Sequence, residues 1–263
     1  MSFSQVLNSL RGDGSTFQVT VSEDWAQGRA TFGGLIAAVG NEALRQLVPR
    51  DRPLRSLQTT FVGPAAAGTW QIDARVLRVG RAVTIAHCDV VDAGQVVATV
   101  VGVYGGARPS AVSVDVATQT AARSVDQCRD MSFREGVSPK FIQHFAVRWA
   151  EGAKPFSGSV RTPTKAYIRH RDPALLTESP VVALIDCIPT PALSMFQAQA
   201  PASSLVWTLE FLEHRFDFSP EAWWRIDSDV DAAGEGYVNQ TGVLVDPEGR
   251  PAALTRQLFA VFG

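Results

Sequence analysis

The chain has 263 residues, of which 46% are hydrophobic and 19% charged, and its formal net charge is −2. These values are typical of a globular protein with a sizeable core, in one large domain or two smaller ones. They argue against a nucleic-acid-binding protein, because phosphate contacts require clustered Lys and Arg side chains. No stretch approaches the roughly 20 apolar residues that span a bilayer, so membrane insertion is not expected.

The first predicted element is a helix over residues 33–47, with the sequence GGLIAAVGNEALRQL. Its apolar residues recur at helical spacing, and two glycines precede them. Because apolar residues occupy much of its circumference, this helix should be buried rather than lie on the surface.

Three predicted strands follow the helix, at 70–79, 83–91 and 96–104, and each is rich in β-branched and apolar residues. The turn Asp92-Ala93-Gly94 indicates a hairpin between the last two. From 105 to about 140 the sequence has little periodicity and many Ala, Ser, Thr and Arg residues, which is typical of a linker. Three further strands are predicted at 224–230, 237–245 and 252–262.

The strand segments of the two halves are similar in sequence. At a constant offset of 154, seven of 23 ungapped positions are identical, where ordinary composition gives roughly one or two. The identical residues are Trp70, Ile72, Asp73, Val76, Gly80, Val91 and Asp92, which match Trp224, Ile226, Asp227, Val230, Gly234, Val245 and Asp246. The sequence therefore predicts two copies of one α+β unit, in which an antiparallel sheet wraps around a central helix. We assign 1–105 to the N-terminal repeat, 106–140 to the linker and 141–263 to the C-terminal repeat.

The cysteines and histidines indicate neither disulfides nor metal. Cys88, Cys128 and Cys187 are widely spaced and form neither a CxxC motif nor a disulfide framework, which favours a reducing compartment. The four histidines show no HxxxH or HExxH spacing, so no metal site is expected. Residues 1–13 do not have the basic and apolar regions of a signal peptide. We therefore expect a cytoplasmic protein.

Several short motifs carry a family resemblance. In chain order they are Phe32-Gly33-Gly34, Leu54-Arg55-Ser56-Leu57, Phe61-Val62-Gly63-Pro64, Leu77-Arg78-Val79-Gly80-Arg81, the segment Asp186 to Leu193, Trp207-Thr208-Leu209-Glu210 and Thr255-Arg256-Gln257. Each motif alone is weakly specific, but their order and spacing together resemble the acyl-CoA thioesterase II family, the bacterial double-hotdog thioesterases. The resemblance covers the chain from about Trp25 to Gly263 and is weakest in the linker.

The resemblance implies two fused hotdog repeats, a homodimer, and hydrolysis of fatty-acyl-CoA to free acid and CoA with no bound cofactor. In that family an Asp at the start of the second helix, a Thr or Ser on the next strand and a Gln on the final strand carry the hydrolysis. These residues correspond to Asp186, Thr208 and Gln257. Ser203 and Ser204 are alternatives for the hydroxyl, because they lie a few residues upstream of Thr208.

Substrate-binding residues are also implied in the first half. Phe32, Gly33 and Gly34 open the buried helix, and N–H groups at a helix start can stabilise developing negative charge on a thioester oxygen. Arg78 and Arg81 are assigned to substrate binding, although ordinary solvation of the turn explains them as well.

The repeat provides a check on the catalytic residues. Counting from the turn glycines, Gln257 corresponds to Gly102, and no acidic residue around 30–35 corresponds to Asp186. We therefore expect the polar groups in only one half, which fits a duplicated fold that keeps one active site per chain.

Each catalytic residue also has a structural explanation, and two other functions stay open. Asp186 could cap a helix that follows it, Thr208 is an ordinary strand residue, and Gln257 could be a hydrogen-bonded polar group on a strand. One alternative function is a non-catalytic acyl-CoA-binding hotdog protein. The other is a hotdog hydratase of enoyl thioesters, which requires an Asp and a His placed together.

Overall fold

The computed structural model describes residues 1–114, 123–131, 133–161, 163–174 and 176–262. The α-helices are α1 (Phe3–Leu7), α2 (Gly33–Arg45) and α3 (Glu178–Ile185). The strands of the first half are β1 (Arg11–Asp13), β2 (Thr16–Val21), β3 (Ala26–Gln27), β4 (Ala30–Thr31), β5 (Leu54–Phe61), β6 (Gly68–Val79), β7 (Val83–Asp92) and β8 (Gln95–Gly105). The later strands are β9 (Arg129–Asp130), β10 (Phe145–Glu151), β11 (Thr164–His170), β12 (Ala202–Phe211), β13 (Trp224–Gly234), β14 (Tyr237–Val245) and β15 (Pro251–Val261). Short 3-10 helices lie at Glu23–Trp25, Val125–Gln127, Lys140–His144 and Pro191–Met195.

Among the described residues, thirteen strands form one antiparallel sheet in the order β1-β2-β6-β7-β8-β5-β12-β15-β14-β13-β11-β10-β9. The two halves of the chain meet in the middle of this sheet, where β5 pairs with β12. Helices α2 and α3 pack against each other, α2 against β5 to β8 and α3 against β11. We call the face of the sheet that carries these helices the inner face, and the opposite face the outer face. The α+β class predicted from the sequence is confirmed.

Helix α2 is the central element of the first half. Ten of its thirteen residues are buried, as its apolar circumference predicted. Gly40 allows a close approach to the sheet, because a Cβ there would lie 2.8 Å from Cγ2 of Val100. Leu35, Val39 and Leu44 are fully buried, and each such side chain contributes about 1.5–3 kcal/mol to stability.

The sequence repeat corresponds to equivalent strands. Trp70 of β6 and Trp224 of β13 are both fully buried, and each strand pairs with the next one in the same register. Gln71 lies opposite Val91, and at an offset of 154 residues Arg225 lies opposite Val245. The predicted strands agree with β6, β7, β8, β13, β14 and β15 to within a few residues at each end.

Several elements were not predicted. Helix α1 and strands β1 and β2 precede the first repeat motif, and the described part of the predicted linker contains a 3-10 helix and the two-residue strand β9. Helix α1 and strands β1 and β9 are too short for a periodic pattern, but the six residues of β2 alternate polar and apolar, so the sequence did contain a signal for that strand. Residues 115–122 and 132 of the predicted linker lie outside the described residues, and its boundaries stay a prediction.

Two expectations from composition concern cysteines and membrane helices. Cys88, Cys128 and Cys187 are buried and form no disulfide. Within the part of the chain that the structure describes, no helix has the length and apolar character needed to cross a membrane.

Candidate active site

Asp186 lies at the end of a helix, not at the start of one as the sequence analysis assumed. Helix α3 ends at Ile185, and Asp186 is its C-cap residue with φ −94° and ψ −1°. Pro189 and Pro191 follow, and prolines are common just after a helix end because they cannot continue the helix. The carboxylate therefore does not cap a helix that follows it.

The Asp186 side chain instead meets the N-terminus of α2. The backbone N–H of Gly34 donates a hydrogen bond to its carboxylate. A Cβ at Gly33 would lie 3.0 Å from Oδ2 of Asp186, and a Cβ at Gly34 would lie 2.5 Å from the Phe32 ring and 3.0 Å from Cβ of Asp186. The motif Phe32-Gly33-Gly34 thus lies beside Asp186, and both glycines are required by close approach rather than by backbone angle.

Gln257 joins Asp186 to a hydroxyl group. Its side-chain Nε2 donates to Oδ1 of Asp186 at 3.0 Å and to Oγ of Ser204 at 2.8 Å. Gln257 is on the inner face of β15 and is only 4% exposed. The structure therefore brings Asp186 and Gln257 together, as predicted, and the hydroxyl beside them is that of Ser204, the alternative to Thr208.

Thr208 lies on the other face of the sheet, so its predicted position beside Asp186 is wrong. In the β12–β15 ladder, Trp207 is opposite Gln257, and Thr208 is opposite Arg256. Successive side chains of a strand point to opposite faces, so Thr208 and Arg256 share the outer face, where both line a shallow groove of about 600 Å³. A β-bulge after Ser204 reverses the alternation and returns the Ser204 side chain to the inner face.

Arg78 and Arg81 are not brought to this cluster. Arg78 lies near the end of β6, and the carbonyl of Arg81 accepts a hydrogen bond from Arg52, two residues before β5 begins. The cluster is near the opposite end of β5, where the Phe61 ring would contact a Cβ at Gly33. An eight-residue strand spans about 25 Å. The distance of the two arginines from the cluster therefore does not support their assignment to substrate binding.

The first half carries different side chains at the corresponding positions. In β5 and β8, Leu57 is opposite Gly102, as Trp207 is opposite Gln257 in β12 and β15. This register agrees with the predicted correspondence of Gln257 and Gly102. The first half therefore has no carboxamide at this position.

The hydroxyl position also has an apolar counterpart. A bulge follows Leu54 in β5 just as one follows Ser204 in β12. Leu54 is opposite Tyr104, and Ser204 is opposite Phe259. Ser204 thus corresponds to Leu54, which is fully buried, and Phe259 corresponds to Tyr104.

The counterpart of Asp186 is a neutral residue. Asn41 is the ninth residue counted from the start of α2, and Asp186 is the ninth counted from the start of α3. Asn41 Oδ1 accepts a hydrogen bond of 2.8 Å from the Tyr104 hydroxyl, and its Nδ2 donates to Ser179 Oγ at 3.0 Å. This counterpart was expected near 30–35 because Asp186 was predicted at a helix start. The first half has no acidic residue at the position that corresponds to Asp186, as predicted, but that position is Asn41 rather than a residue near 30–35.

The environment of Asp186 changes its acidity. Burial raises the pKa of Asp186 to about 7, and the hydrogen bonds from Gln257 and the Gly34 N–H oppose this rise. A carboxyl group with this pKa can accept and return a proton near neutral pH.

Comparison with known proteins identifies the family. Residues 21–105 match the family model of the acyl-CoA thioesterase N-terminal domain, and residues 125–261 match that of the acyl-CoA thioesterase C-terminal domain. A sequence comparison with the curated proteins gives no match.

Solved structures have the same fold. A hot dog fold protein from Alicyclobacillus acidocaldarius has a TM-score of 0.87 and 22% identity, over 99% of this chain and 98% of that chain. Acyl-CoA thioesterase II TesB2 from Mycobacterium marinum has a TM-score of 0.76 and 17% identity, over 100% and 99% of the two chains. A tesB protein from Mycobacterium avium subs paratuberculosis has a TM-score of 0.81 and 15% identity, over the full length of both. The double-hotdog architecture predicted from the sequence is confirmed, and on the two family-model matches the chain belongs to the acyl-CoA thioesterase family of thioester hydrolases.

Proposed function

We propose that the protein hydrolyses fatty-acyl-CoA to free acid and CoA with a water molecule activated by Asp186 and oriented by Gln257 and Ser204. The observation that carries this proposal is the pair of hydrogen bonds from the Gln257 amide to Asp186 and Ser204. They gather a carboxylate, a carboxamide and a hydroxyl, distant along the chain, at the N-terminus of one helix. Membership of the thioesterase family supports the reaction type.

The reaction requires one base and one source of charge stabilisation. The Asp186 carboxylate accepts a proton from water as the water oxygen attacks the thioester carbonyl carbon. The carbon–sulfur bond then breaks, and the proton passes from Asp186 to the departing sulfur, so that CoA leaves as a thiol. Ser204 Oγ accepts from Gln257, which leaves the Ser204 hydroxyl proton to orient the water.

The start of α2 supplies donors for the thioester oxygen. The first N–H groups of a helix have no intrahelical acceptor, and their partial positive charge favours an anion. The Gly34 N–H is directed at Asp186, so the N–H of Gly33, the first residue of the helix, is the available donor. Stabilisation of developing charge by such a fixed donor lowers the barrier to attack.

The histidines do not favour the hydratase alternative. Each one contacts a group other than Asp186: His87 lies 3.4 Å from Asp89, His144 stacks on Trp25, His170 lies 2.8 Å from the Pro180 carbonyl, and His214 contacts Arg55. An Asp–His pair of the kind that a hotdog hydratase requires is therefore not formed with Asp186.

The substitution Asp186→Asn tests the proposal. It removes the base while keeping the size of the side chain, so thiol release from acyl-CoA should fall at least tenfold, since a general base typically contributes about 10²–10⁴-fold. A panel of acyl-CoAs from about C2 to C18, followed by free thiol, measures this and defines the preferred chain length.

The control and the pH profile separate chemistry from folding. Asp231→Asn alters an exposed carboxylate on β13 and should leave turnover unchanged. Because only deprotonated Asp186 can act as a base, wild-type kcat/KM should rise with pH through an apparent pKa of about 7. A non-catalytic acyl-CoA-binding protein would bind the same substrates and release no thiol, and an unchanged rate in Asp186→Asn would exclude Asp186 from the mechanism.

A further inference from the structure

A second, small apolar cluster lies next to the Asp186–Gln257–Ser204 group and apart from the main core. It is formed by Ala192, Val230, Val238 and Phe259, with Val261 packed against it. Phe259 is two residues beyond Gln257 on the same face of β15, a distance of about 7 Å along the strand. Ala192 is in the 3-10 helix Pro191–Met195, which begins five residues after Asp186. We call these four residues the Phe259 cluster.

The opposite direction along β15 is closed by the main core. Two residues before Gln257, the Thr255 hydroxyl accepts a hydrogen bond of 2.8 Å from the Trp207 indole N–H. Both side chains are buried, and Trp207 is part of the main core. An apolar chain that starts at Gln257 would have to break this packing, whereas the Phe259 cluster is a separate apolar region.

The first half shows how the same position is used where the carboxylate and the carboxamide are absent. Tyr104, the counterpart of Phe259, lies over Gly102 so closely that a Cβ at Gly102 would be 2.6 Å from the Tyr104 ring. Its hydroxyl bonds to Asn41, the counterpart of Asp186. Phe259 has no hydroxyl and packs in its own cluster, and Gln257 makes the contact with Asp186 instead. On this side, Phe259 is the next large apolar residue on the β15 face beyond Gln257.

The Phe259 cluster is covered by a short helix. The 3-10 helix Pro191–Met195 has five residues, and such short helices have poorer hydrogen-bond geometry than α-helices. It is held from one side by backbone bonds from a neighbouring loop, Phe156 N–H to Leu193 O at 2.7 Å and Gly158 N–H to Phe196 O at 2.9 Å. Phe156 adopts φ 62°, a left-handed conformation that costs a non-glycine residue on the order of 1 kcal/mol. A third backbone bond, from Ser159 N–H to Ser194 O at 2.9 Å, completes this side, so the helix is held by the neighbouring loop and not by α2.

We infer that the acyl chain of the substrate lies along the inner face of β15 from Gln257 towards Phe259, beneath the 3-10 helix Pro191–Met195. Phe259 is then the wall that limits chain length. This inference rests on the proposed hydrolysis of fatty-acyl-CoA.

Substitutions of Phe259 test the inference on the full-length protein. Phe259→Ala should extend the acyl site, so kcat/KM for chains longer than the wild-type optimum should rise relative to the optimum, by about fourfold for each additional methylene that becomes buried. Phe259→Trp should shift the preference to shorter chains. Phe259→Leu, a milder truncation, should shift it in the same direction as Phe259→Ala and serves if the larger cavity prevents folding.

Phe218→Ala is the matched control. Phe218 has the same exposure as Phe259, 8%, and packs edge-on against Trp224 rather than in the Phe259 cluster. Its truncation should reduce stability and leave the chain-length profile unchanged.

Two results would overturn the inference. One is a wild-type chain-length profile in folded Phe259→Ala and Phe259→Leu. The other concerns the ratio of the rate with acyl-CoA to the rate with the acyl-N-acetylcysteamine thioester at one chain length. If the Phe259 variants change this ratio relative to the wild type, the CoA moiety and not the acyl chain contacts the Phe259 cluster. Failure of the proposed function has a different signature, because the wild-type protein would then release no thiol from any acyl-CoA.

Discussion

Gln257 connects the groups of the candidate site at the scale of single residues. One amide nitrogen lies within 3.0 Å of a carboxylate oxygen and a hydroxyl oxygen at once. Because the amide is buried, both bonds are protected from competition with water. The bond to Asp186 favours the carboxylate form, so Gln257 holds the pKa of Asp186 below the value that burial alone would produce.

The choice between Ser204 and Thr208 gives a prediction at this scale. Ser204→Ala removes the hydroxyl that accepts from Gln257 and should lower kcat about tenfold, the effect expected from the loss of one buried hydrogen bond in the transition state. Thr208→Ala is the matched control, because Thr208 lies on the outer face opposite Arg256. Thiol-release kinetics on both variants measure the difference. A slow Thr208→Ala beside a normal Ser204→Ala would contradict the assignment.

The N-terminus of α2 positions the site at the scale of secondary-structure elements. Gly33 and Gly34 allow the helix end to approach Asp186 so closely that a side chain at either position would meet it at about 3.0 Å. The backbone angle is not the reason for these glycines, because neither has a positive φ. Their role is to let a helix of one half contact the carboxylate of the other.

Gly34→Ala follows from this contact. The added methyl group would lie 2.5 Å from the Phe32 ring and 3.0 Å from Asp186, so Phe32 or Asp186 must move. Because a displacement of about 1 Å in a catalytic group costs on the order of a hundredfold, kcat should fall at least tenfold. Gly63→Ala is the control, since a Cβ there meets nothing within 4 Å. Equal kinetics of the two variants, with the fold checked by circular dichroism, would show that the site tolerates a wider helix end.

The edges of the sheet bear on assembly at the scale of the whole molecule. The family resemblance implies a homodimer, and edge strands without partners are one place where two chains could pair. The edges are β1, Arg11–Asp13, and β9, Arg129–Asp130, and both are exposed, short and charged. Such edges protect a sheet against edge-to-edge pairing. In the described part of the sheet, edge-to-edge pairing is therefore disfavoured, which leaves the faces of the sheet as the surfaces for a dimer.

We propose that the protein is a homodimer through such a face. Sedimentation velocity at micromolar concentration should give twice the mass of one chain, with no growth to larger species as the concentration rises. Larger open-ended assemblies would instead indicate association at the strand edges. A single-chain mass at every concentration would contradict the dimer.

The sequence alone determined the repeat, through identities at a constant offset of 154 residues. It also determined the buried helix α2 and six of the strands, because apolar spacing and β-rich composition indicate burial and strand structure. The motif resemblance indicated that Asp186 and Gln257 act together, and their contact is present in the fold. The short elements α1, β1 and β9 gave no periodic signal, whereas β2 alternates polar and apolar residues over its six positions and was overlooked.

Only the tertiary structure decided which hydroxyl group lies beside Asp186 and Gln257, and which first-half residue corresponds to Asp186. A β-bulge after Ser204 inverts the side-chain alternation of β12, and a bulge adds one residue without a sequence mark of its own. The direction of α3 places Asp186 at its C-terminal end, where it meets Gly34 and corresponds to Asn41. Strand register and helix direction are set by packing between distant segments, which a local pattern in the sequence does not contain.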